Sequence, residues 1–148
     1  MKNKFVFPAI ILLLIILISI LFYKNSREIS QVCVKEHCFS VELAKTPAEQ
    51  TKGLSNRSFL DQNKGMLFIF QKADIYSFWM KDTLIPLDMI WIKDNKIVFI
   101  ERNALPCIEA NCSIFNKNAV ANYVLEINGN ISEKYDFNIG DNISFVRS

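Results

Sequence analysis

The chain has 148 residues, with 17 basic and 15 acidic side chains, one His and 51% hydrophobic residues. That is one domain's worth of chain; the hydrophobic share excludes a disordered protein, and one imidazole excludes multi-His metal sites. Lys2, Lys4 and Lys24 precede residue 25 with no acid among them, so residues 25–148 carry fourteen basic and fifteen acidic side chains, a net −1. A near-neutral body argues against a phosphate-backbone binder, which needs a basic face, so no nucleic-acid partner is expected.

In chain order, the first element is the uncharged run Phe5–Tyr23. Its 19 residues match the ~20 apolar residues that cross a bilayer as a helix. Pro8 falls in the first turn, where its missing N–H costs little. The alternative is a cleaved secretory signal, but the run exceeds the usual ~7–15 residues and no A-x-A site closes it. The expectation is an uncleaved signal anchor: residues 1–24 form a transmembrane helix with a short cytoplasmic start, 25–30 a linker, and 31–148 a single globular domain. The flanking charges place the N-terminus in the cytoplasm and the domain outside it, as a single-pass cell-membrane protein whose membrane contact is residues 5–23.

Four cysteines, Cys33, Cys38, Cys107 and Cys112, form two C-x4-C pairs. Three connectivities are open. The segments 31–34 and 37–41 read as two strands turning at Lys35-Glu36, which sets Cys33 opposite Cys38 in a non-hydrogen-bonded pair about 4.5 Å apart, within disulfide reach. The expected bridges are therefore Cys33–Cys38 and Cys107–Cys112. A four-thiolate zinc site usually wants closer C-x2-C knuckles, and free thiols do not suit an oxidising compartment.

Thr46-Pro47-Ala48-Glu49 is a capping box with Pro at the first helical position, predicting a short helix to Lys52 that stops at Gly53. Leu54 is expected to tuck the chain onto the core. Residues 56–64 read as a loop anchored by Phe59 and Leu60. Strands are predicted at 65–70, apolar without alternation and so buried on both faces, at 75–80, at 87–92 and at 97–100, the last two joined by a two-residue turn at Asp94-Asn95. Residues 103–118 read as a long loop. Strands at 120–127 and 143–146 enclose one or two helical turns over 131–137. The pattern predicts an α+β, predominantly β fold: a compact antiparallel barrel-like or sandwich-like sheet with one or two short helices.

No catalytic motif is present. His37 stands beside Cys38, and strand neighbours point to opposite faces, which is poor dyad geometry. Asp82 and Asp88 flank the bend 83–87, where two carboxylates can do acid–base work or hold a hard cation; the bland alternative is a turn residue and a strand-opening residue. Asp88, set among apolar neighbours, needs a partner, and Arg57 is the expected one, as a structural pair or as a guanidinium presented to an anionic ligand. Trp79 and Trp91 suit a core, or Phe78, Trp79 and Met80 form a cleft wall with Thr83 and Asp88 as polar points.

The segments Thr46–Arg57, Gly65–Phe70 and especially Ser77–Asp88 (SFWMKDTLIPLD) resemble the domain of unknown function 192 family, as do Leu105-Pro106-Cys107 with Cys112, Tyr123–Glu126 and Ile139–Asp141. The resemblance covers about residues 39–146. It implies a small, mostly β fold, often exported or membrane-anchored, and no established activity. Asp82 replaces the family's usual Asn, and Cys33 and Cys38 lie outside its general pattern. The candidate cleft is thus Arg57, Phe78, Trp79, Met80, Thr83 and Asp88, with no metal or cofactor expected. The function expected is a membrane-anchored extracytoplasmic binding or interaction module for a small-molecule or protein ligand. The alternatives are a cell-envelope enzyme using Arg57, Asp82 and Asp88, or a structural envelope protein.

Overall fold

The computed structural model describes residues 10–18, 28–108 and 111–148. The chain divides into two compact units, residues 1–28 with 147–148, and Ile29–Val146. In the first, residues 10–18 are helical (α1). Among the described residues no helix is long and apolar enough to cross a membrane; both ends of the span expected over Phe5–Tyr23 lie outside the described residues.

The second unit follows the order β1 (Ile29–Val34), β2 (His37–Ala44), α2 (Pro47–Lys52), β3 (Lys64–Ile75), β4 (Phe78–Trp79), β5 (Leu87–Lys93), β6 (Lys96–Ala104), β7 (Ile114–Phe115), β8 (Val120–Asn128), α3 (Ile131–Lys134) and β9 (Ile143–Arg147). Seven strands form one sheet in the order β6-β5-β8-β3-β2-β1-β9, and β4 pairs with β7 in a separate small ribbon. The sheet curls until its far edges meet at one end. Lys96 of β6 bridges Asn142, and backbone bonds run from Ile97 N to Asp141 O (3.0 Å) and from Ile143 N to Asn95 O (2.7 Å). The result is a half-barrel, the barrel-like side of the expectation.

One pairing departs from the antiparallel expectation: β2 and β3 run parallel. The connection, residues 45–63, is long enough to carry the chain back along the sheet, and the short α2 helix lies within it. Its capping box forms as expected, with Glu49 N donating to Thr46 Oγ1 (3.3 Å) and Thr46 N donating to Glu49 Oε2 (2.8 Å). Gly53, at φ +47°, ends the helix in a conformation that a β-carbon resists. Leu54 and Leu60 are buried, but Phe59 is 71% exposed and anchors nothing. The predicted strand 75–80 shrinks to Phe78–Trp79, because Ile75 belongs to the end of β3. Within the expected loop 103–118, β6 extends to Ala104 and β7 forms.

Strand alternation sorts the core into two layers. Val32, Phe39, Leu67, Ile90, Leu125, Ile127 and Phe137 fill one side of the sheet. Leu54, Met66, Phe68, Met80, Met89, Trp91 and Val124 pack on the other, with the chain around α2 and β4 over them. Residues Leu87–Ile92 of β5 are all buried because both faces are covered; of the run 65–70, read as buried on both faces, Gly65–Phe68 are buried and Ile69 and Phe70 partly so.

The cysteines bond as expected. Cys33 faces Cys38 and Val34 faces His37 in the β1–β2 register, with a Cα separation of 4.0 Å between the cysteines. Cys107–Cys112 closes the loop before β7 with a Cα separation of 5.9 Å. Cys38 is therefore no partner for His37, whose ring stacks on Tyr135 at 3.6 Å instead.

Candidate functional site

The six residues of the predicted cleft separate into different roles. Asp88 is fully buried and its carboxylate is spent on backbone donors: Asn103 N (2.7 Å) and Asn130 N (3.0 Å) to Oδ1, and Ser132 N (2.6 Å) to Oδ2. It ties the end of β6 and the turn into α3 to the start of β5. The expected Arg57–Asp88 pair does not form. Arg57 instead grips Glu42 of β2 with both terminal nitrogens, each 2.5 Å from a carboxylate oxygen. This bidentate bond holds Glu42 below the usual carboxylate range. The correction has a simple cause: backbone N–H groups already satisfy Asp88, and a side-chain inventory does not display them.

Asp82 is exposed and sits at φ +57°, in the left-handed region that Asn and Asp tolerate best. That backbone demand accounts for either residue type at this position, without any role for an amide. Its N–H donates to Cys107 O (3.0 Å), and its carbonyl accepts from Asn56 N (2.7 Å). With Asp88 consumed and Arg57 engaged by Glu42, the acid–base set of Arg57, Asp82 and Asp88 does not assemble.

The two tryptophans also part. Trp91 is fully buried, its indole N–H donating to Tyr76 O (3.0 Å). Trp79 is 51% exposed, paired with Ile114 across the β4–β7 ribbon. The Cys107–Cys112 loop supports that ribbon: Cys107 N donates to Met80 O (3.3 Å), and Asn116 Nδ2 donates to Ser77 Oγ (2.8 Å). Met80 is buried in the layer beneath rather than lining a wall.

Between α2 and β4 lies a cleft of about 310 Å³, walled mainly by Phe68, Phe70, Tyr76, Phe78 and Trp79. The rings are fixed against one another: Phe70 stacks on Tyr76 at 3.5 Å, and Phe78 meets Phe68 edge-on at 4.8 Å. On the α2 side, Gln50 pins the helix to the sheet by donating to Ile69 O (2.9 Å) and Ala44 O (3.3 Å). A narrower recess of about 30 Å³ shares Phe68, Phe78 and Trp79 with the cleft and reaches Thr83 and Glu126.

Glu126 is the residue that the sequence reading missed as a site. It lies on β8 between Met66 of β3 and Met89 of β5, its register partners on either side. Only 4% of it is exposed, no hydrogen bond or ion pair to a described residue reaches its carboxyl, and burial alone pushes its pKa up to about 8. Gly65 allows this placement: a β-carbon there would stand 2.5 Å from Glu126 O, so only glycine lets β3 approach β8 so closely at that point. The signal was present in the run Val124-Leu125-Glu126-Ile127, a carboxyl inside an apolar strand, where ionisation is costly.

The family model for DUF192, described as an uncharacterized ACR, matches residues 29–145, and the chain belongs to that family. The fold has counterparts among solved structures. A protein of unknown function from Novosphingobium aromaticivorans DSM 12444 superposes with a TM-score of 0.73 at 34% identity, covering 81% of this chain and 87% of that one. A protein from Sinorhizobium meliloti 1021, carrying the provisional name of a transcription regulator, superposes with a TM-score of 0.71 at 32% identity, covering 78% and 90%. No curated protein matches.

Proposed function

We propose that this protein is a membrane-anchored, extracytoplasmic binding module whose ligand enters the aromatic cleft between α2 and β4. One observation carries the reading: an open, ring-lined cleft adjoins a recess that reaches a buried carboxyl with no partner among the described residues. Small-molecule sites have this build, with apolar walls and a few polar groups placed for orientation. A carboxyl kept in such a setting costs stability, which a purely structural core avoids by using an apolar residue. The anchor rests on the uncharged run Phe5–Tyr23 and its flanking lysines, and the extracytoplasmic side on the two disulfides. The regulator name of the Sinorhizobium protein is not carried over, because residues 25–148 have a net charge of −1.

Ligand-observed NMR with small aromatic, aliphatic and charged fragments tests the cleft. Fragments are expected to bind, and Trp79→Ala to weaken them. Absence of binders, or binders indifferent to Trp79→Ala, would contradict the reading. Protease treatment of intact spheroplasts tests the topology: the body is expected to be cleaved without opening the membrane.

A further inference from the structure

The recess below the cleft selects among ligand chemistries. Glu126 and Thr83, buried to 4% and 5% exposure, both line it, and neither the Glu126 carboxyl nor the Thr83 hydroxyl makes a hydrogen bond to a described residue. The charged neighbours leave the acid alone. Lys52 of α2 lines the recess without pairing with Glu126; Glu42, in the same row of the sheet, is held by Arg57; and Glu101 of β6 lies beyond Met89 in that row. What completes a buried carboxyl is a donor that also brings positive charge.

Space decides which cation that is. A recess of about 30 Å³ takes a head the size of a water molecule. A primary ammonium fits this description; a planar guanidinium fork or a quaternary ammonium is too large. Above the recess, Phe78 and Trp79 offer an apolar lane for an alkyl stem and ring faces that attract a passing cation. Trp79 already carries one such contact, since Lys81 Nζ lies 5.6 Å from its ring centroid.

We propose that this recess binds a primary alkylammonium group, with the Glu126 carboxylate as counter-ion, the Thr83 hydroxyl as a second acceptor, and Phe78 and Trp79 flanking the stem. The inference rests on the cleft being a ligand site and names the chemistry it takes. Glu126 is held protonated up to about pH 8 by burial, so an arriving ammonium displaces that proton to solvent, and one proton leaves for each cation bound. Binding therefore strengthens as pH rises toward 8, approaching tenfold per pH unit. The group has two sources, a small free amine or the lysine side chain of a peptide.

Calorimetry on the full chain in lipid nanodiscs, at pH 6.0 and pH 7.5 and in two buffers of different ionisation heat, separates the outcomes. The probes are pentylamine, Nα-acetyl-lysine N-methylamide, pentylguanidine and pentanol. Pentylamine is expected to bind with release of about one proton, at least tenfold more tightly at pH 7.5 than at pH 6.0 and than pentanol or pentylguanidine. Glu126→Gln, which keeps the shape, is expected to weaken it at least tenfold and abolish the proton release. Equal binding by the lysine amide assigns the site to peptide lysine, and binding by pentylamine alone assigns it to a free amine. If pentanol binds as well as pentylamine and Trp79→Ala weakens both, the cleft reading stands and the ammonium assignment falls. If no probe binds, or Glu126→Gln changes nothing, the ammonium assignment is overturned; whether Trp79→Ala affects any fragment then decides the cleft reading separately.

Discussion

Asp88 and Glu126 are buried carboxyls on adjacent strands, and they face opposite layers of the same sheet. Asp88 aligns with Ile127, and Glu126 with Met89, so one residue of register puts each acid on its own side. Asp88 accepts three backbone N–H bonds and locks two chain turns to the sheet. Glu126 accepts none from the described residues and borders a recess that shares Phe68, Phe78 and Trp79 with the aromatic cleft. Two acids of similar burial thus take opposite parts, one stabilising the fold and the other costing it stability. The difference lies in where the donors are, since burial alone does not tell a structural carboxylate from a site.

Substitutions at the two acids should move stability in opposite directions. Asp88→Ala leaves three buried N–H groups without an acceptor. It is expected to lower unfolding free energy by about 3–5 kcal/mol in urea titrations, from the cost of stranded donors and a lost charged acceptor. A loss under about 1 kcal/mol would break the comparison on the structural side.

Glu126→Gln should instead stabilise the protein at neutral pH, by a few kcal/mol. The unfolded chain releases this proton near 4.5, and the folded protein holds it until about 8. Stability from this group is therefore greatest below pH 4.5, falls as pH rises between those values, and is flat above about 8. The loss is at most about 5 kcal/mol. Glu126→Gln is expected to flatten that slope in denaturation curves measured from pH 4.5 to 8.5; an unchanged slope would place the proton elsewhere.

Gly65→Ala probes the backbone behind Glu126. Its β-carbon would meet Glu126 O at 2.5 Å, so the two strands must part, at a cost of about 2 kcal/mol. The Glu126 amide is then expected to exchange with deuterium faster than in the parent protein. Arg57→Ala gives the smallest effect. Its partner Glu42 is about half exposed, so the pair contributes under about 1 kcal/mol and thermal unfolding should barely shift.

Local chemistry was legible in the sequence where one or two side chains decide it. The capping box of Thr46 and Glu49, the opposition of Cys33 and Cys38, and the left-handed turn at Asp94 and Asn95 all form as read. The parallel β2–β3 pair was not legible, because a period of two says nothing about strand direction. Nor was the partner of Arg57, since Glu42 reaches it across the fold and backbone donors satisfy Asp88 without any side chain to advertise them. Of the cleft read from sequence, Phe78, Trp79 and Thr83 do border the space that the structure opens, while Met80 and Asp88 are buried away from it. Glu126 was visible as a carboxyl in an apolar strand, and the same argument that raised Asp88 to a candidate applied to it equally.

The central claim is that Glu126 is a buried acid held protonated and left open to a ligand. Carbon-13 NMR of the glutamate side-chain carboxyls, assigned by comparison with Glu126→Gln, tests it directly. The account predicts a Glu126 resonance that titrates with a midpoint near 8 in the free protein and moves to lower pH when pentylamine is added. A midpoint near 4.5 in the free protein would contradict it, because a carboxyl that ionises there is solvated or already paired.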